Sequence, residues 1–163
     1  MIKVYLASGW FNPEQKRMMD EIYFTLNGLR ESGHIQLFAP FYNGIVLDPK
    51  NDPDWKSKMK AVWDLDIREL TTSDIVVACT QDHDVGTIFE CGYASAKDIP
   101  ILCYNSNPEL GLNLMLSQEA RGFIKSQVEL MKALESFKIH QEEFESNHDA
   151  PRWVYNDFGG LPI

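Results

Sequence analysis

Two periodicities divide this chain. Short aliphatic and β-branched runs alternate with longer stretches in which apolar residues return every three or four positions, the pattern of strands exchanged with helices. Ile2 to Ala7 reads as a first buried strand, and Ser8-Gly9-Trp10-Phe11 as the loop leaving its carboxyl end. Asn12 followed by Pro13 signals a cap and a first helical turn. Met18, Met19, Ile22, Leu26 and Leu29 then recur at helical spacing until Gly33 stops the run. Ile35 to Phe38 predicts a second strand, Pro40 to Asp52 a loop punctuated by Pro and Gly, and Pro53 the start of a helix through Met59, Val62, Trp63, Asp66 and Leu70. Further on, Asp74 to Ala78 predicts a third strand, Val85 to Lys97 a helix behind an Asp84 cap, and Ile99 to Cys103 a fourth strand. Gly122 to Ile124 predicts a short fifth strand and Gln127 to Phe137 a closing helix.

Strict alternation of strand and helix implies an α/β fold: a flavodoxin-like, doubly wound, five-stranded parallel sheet with helices on both faces. No repeat or interdomain linker interrupts it, so residues 1–163 are expected to form a single domain, with a less regular tail from about residue 140. Ligands of such sheets bind beyond the carboxyl ends of the strands at the switch point. Here the loops after the first and third strands, Gly9-Trp10-Phe11 and Gln81 to Gly86, would meet there.

Composition narrows the chemistry. With 163 residues and 44% hydrophobic content, the chain can bury a core without disulfides or structural metal. Cys79, Cys91 and Cys103 are never two residues apart, and His34, His83, His140 and His148 form no metal-ligand spacing, so no metal is expected. Gly9 belongs to no dinucleotide or phosphate-loop pattern, which disfavours an organic cofactor of that kind. No signal peptide and no 18-residue apolar run is written, so a reduced cytoplasmic setting without membrane contact is the expectation. The net charge of −9 excludes a phosphate-tracking surface for a nucleic-acid polymer. That charge is uneven: residues 64–90 hold seven carboxylates and a single base, Arg68. A solvated acidic face explains this by default, yet clustered carboxylates also serve acid/base work on a neutral substrate.

The most informative stretch runs from Asp82 to Ala94. If its helix starts near Val85, Glu90 shares a face with Gly86 and Ala94, four residues away on either side. Small neighbours leave room for another molecule beside the carboxylate, and a glycine there costs about 1 kcal/mol relative to alanine. A lone helical Glu is usually a solvated residue. The Asp84 cap and Asp66 on the preceding helix, both near the predicted crevice, shift the balance toward chemistry.

Several strings together resemble the nucleoside 2-deoxyribosyltransferases. They are Val4 to Phe11, Leu65-Asp66-Ile67 with Ser73-Asp74, Asp84-Val-Gly-Thr-Ile-Phe-Glu90-Cys-Gly-Tyr-Ala94, and Asn113-Leu114-Met115, in that family's order. The resemblance implies that Glu90 is the nucleophile that attacks C1′ of a 2′-deoxynucleoside, oriented by Tyr5. It implies that Asp66 helps protonate the departing base, and that Asp84 and a neighbouring subunit's Asn113 hold the 5′-hydroxyl, with Met115 lining the site from the same neighbour. Gly9, Gly86, Trp10 and Phe11 would shape the substrate site, the two aromatics offering flat apolar surface to a base. Phe41 falls near the place from which some members direct a glutamine at the base. The implied partners are 2′-deoxynucleosides and free purine or pyrimidine bases, without cofactor, in a dimer-based homo-oligomer of up to six subunits with shared sites.

Glycosidic cleavage develops positive charge on the sugar and negative charge on the base, so a carboxylate on one side and a proton source on the other form the natural pair. A covalent ester would return the original configuration. Two rivals stand beside this reading: an N-glycosidase of the same fold acting on deoxynucleosides or deoxynucleotides, and a non-catalytic nucleoside-binding domain. The tail aromatics Trp153, Tyr155 and Phe158 either reach a neighbouring site or dock on the domain.

Overall fold

The computed structural model describes residues 1–45, 47–80, 84–106, 113–146 and 152–155. Its elements are β1 (Ile2–Ala7), α1 (Pro13–Glu31), β2 (Ile35–Phe38), a one-turn α2 (Pro40–Asn43), α3 (Trp55–Thr71), β3 (Ile75–Cys79), α4 (Val85–Ser95), β4 (Ile101–Tyr104), α5 (Leu114–Glu119), β5 (Gly122–Ile124) and α6 (Gln127–Ser146). The strands pair in the order β2-β1-β3-β4-β5. Every pairing is parallel, with Val4 opposite Ile75 and Ala7 opposite Ala78 across β1 and β3.

Strand parity divides the core in two. Ile2, Val4 and Leu6 of β1 join Met18, Ile22 and Leu26 of α1 and Leu130, Leu134 and Phe137 of α6 on one face. Tyr5 and Ala7, one residue out of phase, face the other side with Leu70 of α3, Cys91 and Ala94 of α4, and Leu116 of α5. Because helices cover both faces, every residue of β3 and β4 is buried, and the strands read as continuous apolar runs. The chain leaves β1 toward β2 on one side and returns to β3 on the other, so a crevice opens between the carboxyl ends of β1 and β3.

Six strand and helix starts fall where the sequence places them, at β1, α1, β2, α4, β5 and α6, and Asn12 Oδ1 caps α1 by accepting the Gln15 amide at 2.9 Å. Other boundaries differ for local reasons. Helix α3 starts at Trp55 instead of Pro53, because Asp52 accepts the Asp54 amide at 3.0 Å and holds a turn ahead of it. Strand β3 starts at Ile75, because Asp74 Oδ2 instead takes the Lys3 amide at 2.6 Å. Helix α4 ends at Ser95, where the Ile99 amide turns back to the Ala94 carbonyl and Asp98 adopts φ +56°. That turn removes Ile99 from β4. The predicted loop after β2 contains α2, and α6 runs past Phe137 to Ser146, absorbing the Glu-rich segment into a polar extension whose apolar periodicity has faded. Trp153 is buried against Phe137 with ring centroids 4.9 Å apart, and the Tyr155 amide donates to the Arg121 carbonyl, so this part of the tail docks on its own domain. Phe158, His83, His148 and the loop 81–83 lie outside the described residues.

Candidate active site

The parity of β1 that buries Tyr5 on the α4 side decides the site's first contact. The Tyr5 hydroxyl donates to Glu90 Oε1 at 2.5 Å. Glu90 is held at that point by the start of its helix, where Asp84 Oδ2 accepts from the Thr87 amide at 2.8 Å and the Thr87 hydroxyl at 3.0 Å. Gly86, one turn before Glu90, lines the same cavity. The expectation of small residues on both sides is only half met: Ala94 packs into the core with no exposure, because at the far end of α4 the shared face has rotated onto the sheet.

Burial, reinforced by Asp66 and Asp84 nearby, pushes the Glu90 carboxyl up to about 8, against the opposing effect of the Tyr5 hydrogen bond. Burial and the Glu90 charge push the Tyr5 hydroxyl well above its ordinary range, so it remains a donor at any working pH. Asp66, on the inner side of α3, is raised to about 6 by burial. Its Oδ1 is buried with no hydrogen-bond partner among the described residues. An unpartnered carboxyl in a cleft, its pKa raised toward neutrality, is a group poised for a ligand.

Two chambers meet at Asp66. The inner one, about 340 Å³, is lined by Tyr5, Met59, Trp63, Gly86, Phe89 and Glu90, among others. The outer one, about 600 Å³, is lined by Trp10, Phe11, Pro40, Phe41, Ile45 and neighbours. Leu47, Val62 and Asp66 belong to both. The described residues lining the chambers include no Lys, Arg or His. The outer walls are aromatic: Trp10 lies 5.1 Å from Phe11 and 5.5 Å from Phe41, centroid to centroid. Gly9 permits the approach of this loop to α4, because a Cβ there would stand 2.8 Å from both Asp84 Cβ and Gln15 Oε1.

Tyr5, Asp66, Gly86 and Glu90 thus converge, with Asp84 and Gly9 packed beside them and Trp10 and Phe11 in the adjoining chamber. Asn113 and Met115 do not join them within one chain. Asn113 Oδ1 caps α5 by accepting the Met115 amide at 2.9 Å, and both residues line a separate groove of about 690 Å³ with Ile88, Cys91 and Gly92, on another face of α4. That groove is larger than either chamber, yet its described lining residues include one carboxylate, Glu119, and no acid/base pair. Among the described residues no three His, Cys, Asp or Glu stand together as metal ligands. No described helix is long and apolar enough to cross a membrane.

Reading the sequence missed the role of α3's apolar stripe. Met59, Val62 and Trp63 carry helical periodicity and pass for core, yet Leu70 is the buried residue of that helix and Trp63 stands half exposed at the cleft. It also missed Gln15, a buried polar residue whose Oε1 accepts the Phe11 amide at 2.9 Å and fixes the aromatic loop. Its place one turn after the Asn12-Pro13 start was the available signal.

The family profile described as nucleoside 2-deoxyribosyltransferase matches residues 4–148. The chain belongs to the nucleoside 2-deoxyribosyltransferase family. Membership makes it an enzyme of the nucleoside 2-deoxyribosyltransferase class, whose members act on nucleosides and bases. Among solved structures, the 2-deoxyribosyltransferase of Bacillus psychrosaccharolyticus is 24% identical, with a TM-score of 0.63 over 78% of this chain and 89% of that one. A conserved protein of Enterococcus faecalis V583 is 22% identical, with a TM-score of 0.58 over 85% and 98% of the two chains. A CMP N-glycosidase of Clostridium botulinum is 19% identical, with a TM-score of 0.47 over 82% and 98%. The first two of these likenesses bear out the flavodoxin-like α/β fold. No curated protein matches the sequence.

Proposed function

We propose that this enzyme transfers 2-deoxyribose from a 2′-deoxynucleoside to an acceptor base in two displacements at Glu90. The observation that carries this reading is the pairing of a Tyr5-oriented Glu90 in the inner chamber with an unpartnered Asp66 where the aromatic chamber begins. A sugar in the inner chamber and a base in the outer one would place the glycosidic bond beside both carboxyls.

In the first step a Glu90 oxygen bonds to C1′, the C1′–N pair moves onto the base, and Asp66 delivers a proton to that base. In the second, the acceptor nitrogen bonds to C1′, the ester pair returns to Glu90, and the acceptor's proton passes to Asp66. Two inversions give retention. The working form carries a single proton on the Asp66–Glu90 pair, which titrates as a unit. Asp84 and, from a neighbouring copy, Asn113 and Met115 are assigned to the sugar's outer face. Met115 is 76% exposed in the single chain, as a residue serving another copy must be. Trp10, Phe11 and Phe41 stack the base and exclude water, which favours transfer over hydrolysis. The absence of cations among the described lining residues favours a nucleoside over a nucleotide, since three carboxylates nearby would repel a phosphate.

Incubation with deoxyinosine or thymidine and a panel of free bases, followed by chromatography of products, tests the proposal. A new deoxynucleoside supports it; free deoxyribose alone makes the enzyme a hydrolase; unchanged donor contradicts both.

A further inference from the structure

Helix α2 buries none of its residues, yet it carries Phe41, a wall of the outer chamber. Its one anchor to the core is the half-buried Tyr42, which packs against the cluster that contains Tyr23. Its carboxyl end is closed tightly: the Gly44 amide donates to the Pro40 carbonyl at 2.9 Å, and a Cβ on Gly44 would stand 2.3 Å from that oxygen. That fixes the turn but not its place on the domain.

Helix α1 supplies the place. Lys16, Asp20 and Tyr23 recur at four- and three-residue spacing and so share one face. The Tyr42 ring stacks on Tyr23 with centroids 3.6 Å apart and planes 12° apart. The Tyr42 hydroxyl donates to Asp20 Oδ1, the same oxygen that takes the Lys16 ammonium. Lys16 Nζ also donates to the Tyr42 hydroxyl at 3.4 Å and lies 4.9 Å from the centre of the Phe41 ring. Phe41 meets the Tyr42 ring edge-on at 5.0 Å. Lys16 does not line the chamber that Phe41 lines, so the ammonium supports the wall from outside it.

We propose that Lys16, Asp20 and Tyr42 are positioning residues for the base chamber, fixing α2 on α1 so that Phe41 faces Trp10 at stacking distance. This rests on the assignment of the outer chamber to the base. Because Phe41 belongs to the outer chamber and not the inner one, loosening the clamp weakens base capture and spares the chemistry at Glu90. Tyr42→Phe keeps the ring stacked on Tyr23 and removes the hydroxyl. Lys16→Met keeps the stem and removes the charge; Lys16→Arg restores a cation that can reach both Asp20 and the ring.

The test measures adenine affinity by equilibrium dialysis and the acceptor KM and kcat of base exchange for the wild type and all three variants. Tyr42→Phe and Lys16→Met are expected to raise the adenine dissociation constant and acceptor KM about three- to tenfold, with kcat within about twofold and Lys16→Arg near wild type. A merely structural role would lower the amount of active enzyme and so kcat, leaving KM in place. Unchanged adenine affinity and acceptor KM in both variants overturns the clamp. A wild type that binds adenine without exchanging bases overturns the proposed transfer, while the dialysis comparison still decides this inference.

Discussion

Replacing Glu90 by glutamine is expected to abolish transfer and to stabilise the protein, by an amount that grows with pH. The sign follows from burial. Glu90 titrates at about 8 in the folded chain against an ordinary value of 4.5, so the unfolded chain gives up its proton first. Below the ordinary value both states are protonated and the folded state is not penalised. Between the two values the native state loses about 1.4 kcal/mol per pH unit, and above the folded value the penalty levels off. The full penalty is therefore about 1 kcal/mol near pH 5 and about 3 kcal/mol near pH 7. Glu90 borders an open chamber, so water screens part of it, and about half is the realistic share. Glutamine keeps the acceptor for Tyr5 and does not titrate. At about 2–4 °C per kcal/mol for a chain of this length, Glu90→Gln should melt about 3–6 °C above wild type near pH 7 and about 1–2 °C above it near pH 5. Calorimetric or fluorescence melts across that range measure the difference. A constant offset could come from local repacking; a melting difference that does not widen with pH would refute the assignment of Glu90 as a buried, raised carboxyl.

Other perturbations read other parts of the site. The kcat/KM profile is expected to be a bell with a rising limb near 6 and a falling limb near 8, from the Asp66 and Glu90 pair, and a flat profile across that interval would contradict the paired roles. Asp66→Asn should cost about 10²–10⁴ in the first displacement and remove the bell, as pre-steady-state release of the donor base would report. Tyr5→Phe removes a charge-assisted hydrogen bond and should lower kcat/KM about 10–100-fold while moving the limb near 8 upward, because that bond opposes the rise at Glu90. Asp84→Ala, which strips the cap of α4, should lower stability by about 1 kcal/mol in denaturant melts, and full retention of stability would show the cap to be dispensable.

Much of this architecture was legible because the strands are buried on both faces. The apolar runs at Ile2–Ala7, broken only by Lys3, and at Ile75–Cys79 leave little else for those segments to be, and Asn12-Pro13 marks the first helix unambiguously. Boundaries failed where a side chain outcompeted the backbone, as Asp74 does for the Lys3 amide. Glu90 stood out through its helix position and the resemblance of its string, yet its tie to Tyr5 spans 85 residues and depends on strand parity. The α3 stripe misled because a cleft lined by Met59, Val62 and Trp63 has the same periodicity as a core. The clamp of Lys16, Asp20 and Tyr42 had no sequence signal at all, since it needs α2, a single turn inside an expected loop.

Two-step transfer requires a covalent sugar on Glu90. A 2-deoxy-2-fluoro nucleoside destabilises the oxocarbenium-like transition state and slows turnover of the ester, so intact-protein and peptide mass spectrometry after incubation reads that bond directly. One fluorodeoxyribosyl mass is expected per chain, located at Glu90 and discharged when a free base is supplied. Base exchange that proceeds with no adduct, or with the adduct on another residue, would contradict it.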